Sequence, residues 1–210
     1  MPGCCGGDER FDGVSAGFRR ALFAVIAINA GMFVIEMAAG AIAGSQALKA
    51  DALDFLGDTA TYTLTLLVIG RPLAWRARAA LVKGLSLGAM GLWVLASTVY
   101  RALVLGVPQA EVMGAVGMLA LAANLTSVLL LLKYRDGDAN VRSVWLCSRN
   151  DAIGNIAVVA AAGGVWATAG AWPDLIVAGV MASLFLWSAA QIIRQASAEL
   201  RTQPSNVAAE

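Results

Sequence analysis

Lys49-Ala-Asp-Ala-Leu-Asp-Phe-Leu-Gly-Asp58 puts three carboxylates into a stretch that otherwise reads as a membrane helix. On a helix advancing about 100° per residue, Asp51, Asp54 and Asp58 stand at i, i+3 and i+7 and share one face. Thr61 and Thr65 continue that stripe. An ionised carboxylate in hydrocarbon costs at least about 2.5 kcal/mol, so three in succession need a compensating partner. A divalent cation is the economical one, with protons taking its place when it leaves.

The surrounding chain supplies the membrane context. Its 210 residues are 59% hydrophobic and 14% charged, with a mean hydropathy of +0.72. A soluble domain carries roughly a quarter charged residues, so the composition describes an all-α polytopic membrane protein in contact with the lipid bilayer. The net charge of +1 gives no reason to expect a nucleic-acid partner. There is no histidine, which removes the commonest zinc ligand and the usual proton relay near neutral pH. A metal site must therefore be built from carboxylates, amides, backbone carbonyls or the three cysteines. Cys4 and Cys5 are adjacent in a glycine-rich head and Cys147 is far away, which is no disulfide framework and fits a reducing compartment for the head. Those two thiols either capture a soft metal and pass it inward or belong to a leader with no specific role. The amino terminus is too polar for a cleaved signal peptide.

Six apolar segments follow a flexible arm over residues 1–17. The first span, about Ala21 to Ala43, has the ~20 residues a helix needs to cross a bilayer. It carries Asn29 and Glu36, seven residues apart and on one face. Glu36 is expected to serve packing or proton handling ahead of direct ligation. The second span, about Leu48 to Gly70, holds the acidic stretch. Arg71, Arg76, Arg78 and Lys83 form a basic loop before a third span from roughly Gly84 to Val104, with Arg101 snorkelling at its far end. The fourth span, about Val112 to Leu132, carries Asn124 and Ser127 as a polar pair suited to interhelical hydrogen bonding. A second basic loop contains Lys133, Arg135 and Arg142 around the solvated turn Asp136-Gly-Asp138. The fifth span, about Ser143 to Thr168, holds Cys147, Asn150, Asp151 and Asn155. The sixth runs from about Pro173 to Ile193, after the turn Gly170-Ala-Trp-Pro-Asp174. Residues 18–196 are thus the six-helix transmembrane domain and 197–210 a short tail.

Nearly all Lys and Arg fall in the arm, the two basic loops and the tail, which by the positive-inside rule makes both termini cytoplasmic. At about 1.5 Å per residue, Asp58 and Asp54 lie roughly 18 and 24 Å from the cytoplasmic end of the second span. Asp151 and Asn155 lie roughly 12 and 18 Å from the start of the fifth. The groups overlap near the midplane, so Asp54 and Asp58 can face Asp151 and Asn155 as two i, i+4 pairs around one cation. Asn150 points about 100° away from Asp151 and is expected to brace the helix. Asp51, one turn outward of Asp54, reads equally as a proton-transfer or exit residue and as a helix-start residue near the interface.

The run Ile28-Asn29 through Phe33-Val-Ile-Glu36, then Gly40, Gly44-Ser45, Ala47-Leu48 and Asp51-Ala-Leu-Asp54 to Asp58, resembles the first two helices of cation diffusion facilitator transporters. Asn150-Asp151-Ala-Ile-Gly-Asn155-Ile is similar to their fifth-helix motif. The likeness covers nearly the whole chain and implies a six-helix bundle that exports divalent metal in exchange for protons, typically as a homodimer in an inner membrane, with no cofactor and no enzymatic activity. It also implies that Asp54, Asp58 and Asp151 bind the transported ion, with Cys147 where the family usually has His. Relative to the family pattern, the soluble domain after helix six is missing and so are the histidines. Cys147 as a thiolate favours zinc, cadmium or cobalt, whereas Asn155 in its place gives an all-oxygen site suited to manganese, iron or a broader range. Depth points to Asn155 and the resemblance to Cys147.

Two other readings use the same residues. Asp51-x-x-Asp54-x-x-x-Asp58 superficially resembles the carboxylates of CDP-alcohol phosphotransferases, but Phe55-Leu56-Gly57 stands where that family needs a Gly-x-x-Ala-Arg element. A membrane metal sensor or partner subunit is the other alternative.

Overall fold

A computed structural model describes residues 15–68, 73–104, 106–135 and 139–202. Within them the chain forms α1 (Ala16–Ala43), α2 (Gln46–Val68), α3 (Leu73–Leu103), α4 (Ala110–Leu131), α5 (Ala139–Thr168) and α6 (Trp172–Thr202). A 3-10 turn, Leu132–Tyr134, ends α4. Five of the six helices are long and apolar enough to cross a membrane. The helix outside that set is α2, whose Lys49, Asp51, Asp54 and Asp58 interrupt its apolar run. Cys4, Cys5, Asp136 and Asp138 lie outside the described residues. Two helices begin well before their apolar runs. Arg76, Arg78 and Lys83 stand within α3 rather than in a loop, and α5 starts at Ala139 rather than near Ser143. Charged residues end a hydrophobic run without ending the helix, because the backbone ladder continues past the bilayer surface.

The helices run alternately up and down, so their ends gather at two poles. At one pole the α1–α2 turn meets the start of α4 through Gln109 N–H donating to Ala43 C=O at 3.0 Å. The start of α6 meets α2 there, and the end of α3 reaches the same place, its Arg101 guanidinium lying against Gly44. Gly44 takes the left-handed conformation at φ 70°, and this is the hinge that lets α1 double back into α2. At the other pole Phe18 of α1 packs edge-on against Tyr134, with ring centroids 5.2 Å apart.

Apolar residues fill both poles. Phe18, Leu22, Val25, Tyr62 and Leu131 form one cluster, and Leu48, Met113, Val158, Ala161, Ala162 and Val165 form the other. Between them α1, α2, α4 and α5 enclose a polar layer. The helices α3 and α6 pack along each other and join this group through α2 and α5. Gly84, Gly88 and Gly91 line the α3 face toward α6. A Cβ at Gly91 would lie 3.1 Å from both Phe185 and Leu186, and one at Gly84 would lie 2.9 Å from Ile193. Small residues at i, i+4 and i+7 let two helices approach closely where no hydrophobic force separates helix from lipid.

Candidate metal centre

The buried stripe of α1 reads Phe18, Leu22, Val25, Asn29, Met32, Glu36, Gly40 and Ala43, so an ordinary helical period delivers Asn29 and Glu36 to the interior. The same period on α2 delivers Asp51, Asp54, Asp58 and Tyr62. Asn29, Asp54, Phe55, Asp58, Asn124 and Asp151 line one enclosed space halfway between the poles, too tight for a water molecule. Of the two faces expected to meet, α2 brings Asp54 and Asp58 to this space and α5 brings Asp151.

The Asp151 carboxyl lies within hydrogen-bonding reach of both Asp54 and Asp58. Ionised carboxylates only accept, so groups this close must share a proton or a cation. Among the described residues, no three acidic or thiol side chains already surround a point where a metal ion would sit. The carboxyls face one another instead. Asp58 is further held by Tyr62, whose hydroxyl donates to Asp58 Oδ2. With its proton so used, the Tyr62 oxygen accepts from Ser148 Oγ of α5 at 3.3 Å. Lys83 of α3 acts electrostatically on both Asp54 and Asp58.

A second polar level lies one turn nearer the Gly44 pole. Asn124 Nδ2 donates to Asn155 Oδ1 at 2.9 Å, and Asn155 Nδ2 donates to Asp51 Oδ2 at 2.6 Å. Asp51 in turn lies against Glu36. Asp51 is buried, so the reading of it as an interfacial helix-start residue does not match its position. Asn155 faces Asp51 and Asn124 and does not line the space between Asp54, Asp58 and Asp151. Asn150 is exposed, near Arg149 rather than bracing the interior. Cys147 stands in α5 one turn before Asp151, and its side chain lies outside the described residues. Thr61 donates its hydroxyl to Gly57 C=O at 2.7 Å, so that proton serves its own helix.

Three participants are not singled out by sequence reasoning. Tyr62 and Ser148 carried a weak signal, a tyrosine four residues after Asp58 on the acidic face. Asp174 carried almost none, reading as part of a turn. It sits in the first turn of α6 and clasps the start of α2. Its carboxylate accepts from Ser45 Oγ at 2.6 Å, Gln46 N–H at 2.8 Å and Ala47 N–H at 3.0 Å, while Ser45 Oγ caps Leu48 N–H at 3.0 Å. A carboxylate there meets the unpaired amides and positive dipole end of a helix start.

No curated protein matches this chain. Residues 22–71 and 75–201 match the cation efflux transmembrane domain, a match that takes in most of each of the six helices and every acidic residue of the polar layer. The chain therefore belongs to the cation efflux family and is a membrane transporter of metal cations rather than an enzyme.

Proposed function

We propose that the chain exports a divalent cation in exchange for protons by alternating access, with Asp54, Asp58 and Asp151 as the principal ligands. The observation that carries this reading is the convergence of three carboxyls, from two helices, on one enclosed space in the middle of a membrane bundle. Groups that share protons when the cation is elsewhere release them when it arrives, because ligands must be deprotonated to bind. Proton release and metal binding are then one event. Cys147, one turn from Asp151, is the fifth-helix partner by the family pattern, and zinc, cobalt, cadmium, manganese and iron are the cations to compare. Asp51 and Glu36 connect the site toward the Gly44 pole through Asn155 and Asn124, a route for protons. The protein works as a homodimer in a bacterial inner membrane, with both termini and the Lys83 side of the site toward the cytoplasm.

Purified protein in vesicles with an acidic lumen tests the reading. Metal uptake accompanied by proton exit is expected, abolished in Asp58→Ala and collapsed by a protonophore. Saturable metal binding with no flux would instead support a membrane sensor and overturn the transport mechanism.

A further inference from the structure

We infer that Asn29 of α1 supplies a neutral oxygen ligand to the transported cation and sets its preference for metals of higher coordination number. The inference rests on the reading of Asp54, Asp58 and Asp151 as that cation's ligands, and it adds a third helix to the site.

Asn29 is 1% exposed, and neither its Oδ1 nor its Nδ2 has a hydrogen-bond partner among the described residues. An amide so deeply buried is normally satisfied, and a membrane interior makes the omission more costly. Its neighbours explain what it waits for. The residue lines the same enclosed space as Asp54, Asp58 and Asp151. Asn124, the other amide lining it, already donates through Nδ2 to Asn155. Around the layer stand Met32, Phe55 and Ala120, none with a side-chain oxygen or nitrogen to offer. The two ends of the Asn29 amide suit the two states of a carboxylate site. Its N–H group donates to an ionised carboxylate, whereas its carbonyl oxygen accepts from a protonated one or binds a cation.

A neutral oxygen beyond three carboxylates matters unequally among metals. Manganese takes about six oxygen ligands, while zinc is content with four and prefers nitrogen or sulfur. Removing the Asn29 oxygen should therefore penalise manganese more than zinc, a change that a merely structural amide would not produce.

The test measures uptake KM for Mn2+ and Zn2+ in vesicles with an acidic lumen, using the full chain, Asn29→Leu and Asn29→His. The Leu variant is expected to raise KM for Mn2+ at least about tenfold relative to Zn2+. The His variant, offering nitrogen in place of oxygen, is expected to shift preference further toward Zn2+. An unchanged Mn2+ to Zn2+ ratio in the Leu variant overturns the inference. Should that variant fail to fold, an unchanged ratio in the His variant overturns it. Wild-type protein that moves neither these two metals nor cobalt, cadmium or iron sinks the carboxylate-site reading and this inference with it. Wild-type uptake lost in Asp58→Ala but indifferent to Asn29 sinks this inference alone.

Discussion

Tyr62 is the side chain through which α2 and α5 hold Asp58 in place. A hydrogen bond to a charged group contributes about 1.5–3 kcal/mol, and about 1.4 kcal/mol is tenfold in affinity. Tyr62→Phe is therefore expected to raise the metal KM by roughly tenfold or more while leaving the bundle folded, since the ring keeps its place among Phe18, Leu22 and Leu131. Vesicle uptake and a thermal melt of the same preparation check the two halves of that statement. The acidic face itself was legible from spacing alone, because one rotation angle places Asp51, Asp54 and Asp58. Asn155 was not. Its expected partnership with Asp151 rested on counting rise from helix ends inferred from charge, and α5 begins four residues before the inferred start. An error of one turn is about 5.4 Å, enough to put Asn155 beside Asp51 rather than beside Asp58.

Among the helices, α2 depends most on a distant partner. Asp174 lies far along the chain from Ser45, and no local pattern announces such a pairing, which is why that aspartate read as a turn residue. Losing it would strand two backbone amides and the Ser45 hydroxyl in a buried position. Each unsatisfied buried group costs about 1–3 kcal/mol, so Asp174→Ala is expected to lower stability by several kcal/mol. Ser45→Ala should cost less, and the double variant should lose less than the sum because both remove the same clasp. Thermal unfolding in detergent of the two single variants and the double variant measures that coupling. The six helices themselves were readable from hydropathy, apart from their extensions. The close seating of α3 on α6 needed coordinates, because glycines at 84, 88 and 91 show a small face without naming what fills it.

In the assembled bundle, the polar layer sits between two apolar plugs, so an ion at the proposed site of Asp54, Asp58 and Asp151 would reach neither side without one plug parting. Alternating access predicts different consequences for locking each pole. A cysteine pair replacing Ser45 and Asp174, once oxidised, is expected to leave metal binding from the Lys83 side intact and to stop transport, with reduction restoring it. Equilibrium metal binding and vesicle uptake on the oxidised and reduced protein provide the check, and uptake that continues through oxidation would show that this pole need not open. The order of acidic, amide and glycine residues was enough to anticipate a six-helix transporter fold. Which pole is tied, and by what, emerges only from contacts between segments far apart in sequence. The tie has a mechanical meaning. While Asp174 grips the start of α2, that corner is a fulcrum, and α6 is a lever about 45 Å long. A tilt of about ten degrees about the fulcrum swings its free tip by roughly 8 Å, so a small change of angle at the clasp becomes a wide mouth at the opposite face.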